Sequence, residues 1–392
     1  MSLQSLETNY AGTNKRLFWL ALKTSVLTVL TLGFYRFWMK TRLRRFYWSS
    51  IRPGGVPLEY TGTGVEKLMG FLIAVVFLAF YIGLFNLLLM FFSFALLNDS
   101  FAAYFMSFIG VIPIYFYAQY RARRNILART RWRGVRFGID PAAWGYAWRA
   151  MLHWLLTIVT LGFMLPRQIF WLEKFRIDRT WFGRARFVQE GRWQDLVRPA
   201  RHYYIGLVIT IVSGFAGYFE ELMLLGLIPG VIWLGVGYLH LSIKSYRVLA
   251  SGKRLGEGIT FDASPRTGRV LGIYVGGGLL AQLCVGLLAL GAFILFAAIA
   301  GILSPDFFDG LENGNVMQEI PLLMIFAVAY FSIFIFWGAF MQIFVTMPLM
   351  RHYAQTIKIH NFHRLSEVRQ RARDEMAEAE GFADALDIGA AI

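Results

Sequence analysis

Residues 28–48 read T-V-L-T-L-G-F-Y-R-F-W-M-K-T-R-L-R-R-F-Y-W, an apolar run that closes on Leu32-Gly33-Phe34 and passes at once into basic and aromatic residues. This stretch sets the reading of the chain, because it places a hydrophobic helix beside the kind of sequence that settles at a lipid headgroup layer. The apolar segment Leu17–Trp38 is preceded by Lys15 and Arg16 and followed by Lys40, Arg42, Arg44 and Arg45, with Arg36 inside its far end. A simple crossing would export one of the two basic clusters, against the rule that cytoplasmic flanks carry the positive charge. Lys23 within the segment has to snorkel to an interface. The expectation is a re-entrant or interfacial helix with both ends on the cytoplasmic side; a true span is the alternative. No small-residue cleavage site follows, so the segment is read as part of the mature protein.

The composition points the same way. A 392-residue chain that is 57% hydrophobic and 17% aromatic, with mean hydropathy +0.51, carries more apolar surface than a soluble fold of that size buries. Its apolar runs reach the roughly 20 residues that a helix needs to cross a bilayer. They lack the alternation of barrel strands, so they read as helices. The formal net charge of +15 lies beside these runs, which suits anionic lipid headgroups and argues against a nucleic-acid partner. Cys284 is the only cysteine, which excludes an intrachain disulfide and a cysteine-built metal site.

Acidic turns and basic segments alternate along the chain. Leu68–Leu97 and Phe101–Tyr120 flank Asn98-Asp99-Ser100; His202–Phe219 and Leu222–Ile243 flank Glu220-Glu221. A third pair, from Arg269 to near Leu303 and from Pro321 to Met350, flanks a loop with Asp306, Asp309, Glu312 and Glu319. Arg121, Arg123, Arg124, Arg129, Arg131, Arg133 and Arg136 mark the cytoplasmic side. The expected fold is an all-α polytopic membrane protein of about six transmembrane helices plus two re-entrant or interfacial helices, Leu17–Trp38 and Ala143–Leu165. The N- and C-termini are expected in the cytoplasm. Small cytoplasmic β-hairpins are expected where Pro53-Gly54-Gly55 precedes Val56–Tyr60, and at the strand-like pieces Gly134–Ile139 and Gly258–Asp262.

Two matches suggest internal repeats. T-x-x-T-L-G-F recurs at Thr28–Phe34 and Thr157–Phe163, and G-V-I-P at Gly110–Pro113 is echoed by G-L-I-P at Gly226–Pro229. The expected organisation is a first membrane repeat over 1–140, a second over 141–268, a third transmembrane hairpin over 269–351 and a cytoplasmic tail over 352–392. Because each unit holds an even number of crossings, the copies share one orientation.

The stretch T-L-G-F-Y-R-F-W-M-K-T-R-L-R-R-F-Y-W (Thr31–Trp48), followed by P-L-E-Y-T-G-T-G (Pro57–Gly64), resembles the YjgN family of bacterial polytopic inner-membrane proteins, a domain of unknown function, and the resemblance extends over nearly the whole chain. It implies a bacterial inner (plasma) membrane protein and brings no activity, substrate or catalytic residue with it.

The residues supply little catalytic chemistry. H-E-x-x-H, G-x-S-x-G and P-loop patterns are absent, and no cofactor or metal site is expected. His360 and His363 read as a solvated basic face, His153 as a packed histidine, and Glu220-Glu221 as a polar turn. Candidate intramembrane polar or hinge positions are Asn86, Gly276, Gly277, Gly278, Gln282 and Gln342. Three consecutive glycines mark either close helix packing or a broken helix near a substrate. Candidate lipid-headgroup contacts are Arg42, Arg44, Arg45, Arg121, Arg123, Arg124 and Arg131. These features suit a non-enzymatic protein that transports a small molecule or lipid, or else a membrane scaffold or lipid-binding regulator.

Overall fold

The computed structural model describes residues 5–97, 100–304, 307 and 316–371. The predicted outer-turn residues Asn98, Asp99, Asp306, Asp309 and Glu312, and the acidic tail from Asp374, lie outside the described residues. The chain forms two compact units: one of Met1–Tyr10, Trp48–Thr267 and Tyr353–Ile392, the other of Ala11–Tyr47 and Gly268–His352.

The first unit is organised by a sheet of ten short strands. They are β1 (Ser5–Tyr10), β2 (Ile51–Pro53), β3 (Leu58–Tyr60), β4 (Thr130–Trp132), β5 (Val135–Ile139), β6 (Thr180–Phe182), β7 (Ala185–Gln189), β8 (Lys253–Leu255), β9 (Ile259–Ala263) and β10 (Ile357–His360). Their order is β2-β1-β10-β9-β8-β7-β6-β5-β4-β3, antiparallel throughout. The end strands β2 and β3 are consecutive in sequence and joined by a turn, so the sheet curls into a nearly closed barrel.

Local chemistry explains the hairpins. Trp132 pairs with Val135 across Arg133-Gly134, both at positive φ (51° and 77°), which is the two-residue turn that matches strand twist. Gly54 and Gly55 turn β2 into β3, Gly183 turns β6 into β7, and Gly256 and Gly258 turn β8 into β9. Alternation then sends Leu58, Trp132, Phe137, Phe182, Phe187, Leu255, Phe261 and Ile359 into the lumen. The pairing of β1 with β10, Ser5 with His360 through Glu7 with Lys358, sets the first strand against the last.

A C-terminal strap closes the hairpin-turn end of this barrel. Asn361, held left-handed at φ 56°, turns the chain into a short 3-10 helix, Phe362–Glu367, and its Nδ2 donates to Gly258 O at 2.9 Å. Leu365 inserts into the lumen at 7% exposure. Arg184 N donates to Arg369 O and Arg136 N donates to Gln370 Oε1, both at 2.9 Å.

Helices run into the other end of the strands: α3 (Gly64–Leu97), α4 (Ser100–Ala128), α5 (Ala143–Val159), α6 (Leu165–Ile177), α7 (Arg201–Ala216) and α8 (Leu227–Ser251). In the second unit α1 (Asn14–Leu30) and α2 (Arg36–Ser50) are followed in sequence, after the barrel strands, by helices Thr267–Gly272, Gly278–Leu303, Val316–Met341 and Met347–Thr356. One-turn π-helical segments, Ile273–Gly277 and Gln342–Thr346, interrupt the two long spans there.

The sequence expectation of an all-α protein with about six crossings is overturned. Among the described residues three helical stretches are long and apolar enough to cross a membrane: Glu221–Ser251, Thr267–Leu303 and Ile320–Thr356. The ten-stranded sheet rules out an all-α fold, and the two segments expected to be re-entrant or interfacial, which are not among the six crossings, are each broken. Leu17–Trp38 divides into α1 and α2, and Ala143–Leu165 into α5 and the start of α6, so each apolar half has 17 residues. Of the six expected crossings, His202–Phe219 falls short because α7 has 16 residues. The hairpins are likewise parts of one sheet rather than separate small structures, and Thr180–Gln189 adds one that the sequence reading passed over.

Both breaks have the same geometry. Leu32 and Leu161 stand at φ 49° and Gly33 and Gly162 at φ 95°. Each glycine N–H returns to the first threonine carbonyl at 2.7 Å, Thr28 in one case and Thr157 in the other. The second threonine caps in both: Thr31 Oγ1 donates to Leu27 O at 2.7 Å and Thr160 Oγ1 to Leu156 O at 2.8 Å. A left-handed leucine costs about 1–2 kcal/mol, and these hydrogen bonds offset it.

The strap and the turns separate two costs of a glycine. A Cβ on Gly183 (φ 55°) would lie against the Arg369 carbonyl, whereas one on Gly134 (φ 77°) meets nothing within 4 Å. Gly134→Ala therefore costs about 1–2 kcal/mol of backbone strain alone. Gly183→Ala costs that and displaces the strap, so hydrogen exchange at residues 362–370 accelerates in Gly183→Ala and not in Gly134→Ala.

Candidate functional site

At the helix-facing end of the barrel, α4, α6 and α8 bound a vestibule of about 290 Å³. Its strand wall is Phe137, Thr180, Phe187, Lys253, Phe261, Asp262, Ala263 and Ile357; Arg123 and Leu127 come from α4, Ile177 from α6, and Tyr246 and Ala250 from α8. A second cavity of about 180 Å³ fills the lumen, and Phe137, Phe187, Phe261 and Ile357 line both. The lumen wall is apolar apart from Thr8, whose buried hydroxyl has no hydrogen-bond partner among the described residues.

Behind the vestibule lies a buried charge cluster. Helix α6 turns Phe170, Leu172, Phe175 and Ile177 into the core and carries Glu173 and Arg176 one turn apart. Glu173 divides its carboxylate: Lys253 Nζ donates to Oε1 at 3.0 Å and Arg176 Nη2 to Oε2 at 2.8 Å. Side-chain exposures of 15%, 21% and 24% put all three out of bulk water. Burial alone would push the Glu173 carboxyl up. The charges of Lys253, Arg176 and Arg123 outweigh it and hold the group well below the usual carboxylate range.

Aromatic rings and backbone hold the cluster in place. Arg176 lies 5.8 Å from the centre of the Tyr146 ring, and Tyr146, Tyr120 and Phe175 pack together in the core. Lys174 Nζ donates to Gln189 O at 2.6 Å, and Gln189, 1% exposed, donates through Nε2 to Leu249 O at 3.0 Å. These bonds tie α6, β7 and the end of α8 together, just where β8 delivers Lys253.

The sequence-predicted positions are dispersed. Arg123 alone of the headgroup candidates lines the vestibule. Arg42 and Arg45 are exposed, with Arg42 5.5 Å from the Tyr35 ring centre. Arg44 and Arg124 are buried at 3% and 6% exposure. Arg121 Nη1 donates to Tyr117 Oη at 3.0 Å, and Arg131 is half-buried in β4. In the second unit Gln342 Oε1 accepts from Tyr47 Oη at 2.7 Å, and Gln282 is exposed. A Cβ on Gly277 would strike the Phe344 carbonyl, while Gly276 and Gly278 have open space. The Asn86 side chain lies outside the described residues.

Residues 5–299 match the model of a family described as "Bacterial protein of unknown function (DUF898)". The chain belongs to this family. The match covers β1 through β9, so the vestibule of this DUF898 protein is built from family sequence except for Ile357. No curated protein and no solved structure matches the chain.

Sequence reasoning missed Glu173, Arg176, Lys253, Tyr246 and Asp262. A signal was present: T-R-W-R-G-V-R-F at Thr130–Phe137 recurs as T-W-F-G-R-A-R-F at Thr180–Phe187, with threonine, ring, arginine and phenylalanine at equal spacing. That repeat places α6 as the helix feeding a hairpin and makes its lone internal carboxylate, Glu173, a residue with a position to explain. Among the described residues no group of three or more His, Cys, Asp or Glu side chains is placed to hold a metal ion.

Removing Glu173 leaves Lys253 and Arg176 facing each other without their acceptor. Glu173→Gln therefore destabilises the first unit by about 3–5 kcal/mol, the usual cost of breaking a buried pair. Because the folded carboxyl titrates below its unfolded value, its stabilisation is complete above about pH 4 and is lost as pH falls further. Thermal unfolding midpoints of the wild type should drop below that pH by more than those of Glu173→Gln.

Proposed function

We propose that this DUF898 protein is a non-enzymatic, membrane-embedded binding protein for a lipid-like amphiphile, with barrel and vestibule as the binding site. The observation that carries the reading is that an apolar lumen and a vestibule carrying Arg123, Lys253 and Asp262 adjoin, with four lining residues in common. Ligand sites are concave and mostly apolar, with a few convergent polar groups, and this cavity pair has that character. The apolar lumen favours filling, because a dry cavity forfeits dispersion contacts along its wall.

Less supports the transport reading. Gln282 is exposed, Gln342 is engaged by Tyr47, and Gly277 is a close backbone approach. The exposed Arg42 and Arg45 suit contact with anionic headgroups.

The reading includes a placement in the bacterial inner membrane. Each of the three candidate spans has a barrel strand within a few residues of one end, and those ends are basic: Lys244, Arg247 and Lys253 for the first, Arg266 and Arg269 for the second, Arg351 and Lys358 for the third. The opposite end of the first carries Glu220-Glu221. By the positive-inside rule the barrel is cytoplasmic, and because β1 pairs with β10 both chain ends go with it. The matching turns at Leu32-Gly33 and Leu161-Gly162 support an origin by internal duplication.

Native mass spectrometry of the protein released from nanodiscs tests the binding reading. Wild type should retain one amphiphile-sized adduct. Leu255→Trp, which fills the lumen, should lose it, and the volume-conserving Leu255→Met should keep it. An adduct-free wild type, or an adduct indifferent to Leu255→Trp, overturns the reading.

A further inference from the structure

The charges around the vestibule do not balance. Arg123, Arg176 and Lys253 bring three positive charges, and Glu173 and Asp262 bring two negative ones. Glu173 spends both carboxylate oxygens on Lys253 and Arg176. Asp262 accepts the Ala263 N–H at 2.8 Å and makes no ion pair among the described residues. Arg123 is the cation left over. It lines the vestibule, its Nε is buried without a hydrogen-bond partner, and it makes no ion pair among the described residues.

A guanidinium in this position is costly. Arg123 shares its wall of the vestibule with Leu127, Phe137, Ile177 and Phe187, and among the described residues no carboxylate is hydrogen-bonded to it. A guanidinium fork satisfies a carboxylate or phosphate with paired, charge-assisted hydrogen bonds, which is the compensation the site lacks. One unbalanced positive charge calls for one negative charge. The vestibule shares four lining residues with the lumen, whose wall is apolar apart from Thr8 and includes Leu365 of the strap.

We propose that the site selects amphiphiles bearing a single negative charge, the anionic group on Arg123 and one apolar chain in the barrel lumen. This rests on the amphiphile-binding reading above and adds the chemistry of the headgroup. Arg123 would be the specificity-determining residue, with Lys253 and Arg176 held back by Glu173.

The test uses the full-length protein in phosphatidylcholine nanodiscs with laurate carrying a diazirine at its terminal carbon. Photolysis should label peptides of the barrel strands, 253–263 among them. Unlabelled laurate or lysophosphatidylglycerol should compete at least about tenfold better than dodecanol or lysophosphatidylcholine. A free fatty acid is the source if laurate competes best, a membrane phospholipid if the lysolipid does. Arg123→Gln should retain labelling and lose the preference for anions, Arg123→Lys should keep part of it, and Arg198→Gln, at an exposed position elsewhere, should leave it intact. Equal competition by dodecanol and laurate in the wild type overturns the charge selection and leaves the amphiphile reading standing, whatever the variants do. Absence of label from every barrel strand overturns both.

Discussion

The pairing of β1 with β10 is the constraint on which the rest of the first unit depends. Strands of three to six residues are too short to hold a register alone, and each persists because it is paired on its flanks. Without β1 and β10 the sheet would end at β9 on one side and leave β2 detached on the other, with two open edges. Docking β1 and β10 between β2 and β9 joins all ten strands in one curled, nearly closed sheet, and the curl creates a lumen. The same pairing fixes the strap, which leaves β10 at Asn361 and has nowhere to pack except across the hairpin turns.

Closure also explains the division of labour among residues. The inward positions next to the turns are large and apolar, as Trp132, Phe182 and Leu255 show. Two residues earlier on the same faces stand Thr130, Thr180 and Lys253, nearer the helices. The lumen therefore changes from apolar to polar along its axis, and the change falls where α4, α6 and α8 meet the strands. Lys253 is at the inward position of β8 at that level, which is why Glu173 of α6 is there to receive it.

The hydrophobic helices were legible in the sequence because their signal is local: runs of apolar residues, acidic turns and basic flanks. The third predicted hairpin corresponds to the two long spans of the second unit, and the T-L-G-F motif marked real turns. The breaks at those turns were misread, since Leu32 and Leu161 in a left-handed conformation leave the apolar run unbroken on paper. The barrel was the larger miss. Its consecutive strands are separated by up to 93 residues, from Ala263 to Ile357, and a three-residue strand such as Thr130–Trp132 has no periodicity to detect. The carboxylate of Glu173 was illegible for a related reason: its partner Lys253 lies 80 positions away in sequence, and only the curling of the sheet brings the two together. Arg123 itself was seen, yet within a block of arginines whose uniform reading as headgroup contacts hid that Arg42 is exposed, Arg44 is buried and Arg123 faces a cavity.

One wall of the vestibule belongs to a helix long and apolar enough to cross a membrane. Tyr246 and Ala250 lie in the last two turns of α8, within the span Glu221–Ser251, and Lys253 follows two residues after it ends. Tyr246 packs edge-on against Tyr353 at 4.9 Å between ring centres, four residues before β10. A molecule in the vestibule thus rests against the end of a span and against the residues that lead into the strand closing the barrel. Any free energy of occupancy that differs between arrangements of these elements acts on both at once. That shared wall is the physical means by which binding at the barrel, as proposed, would reach the candidate span.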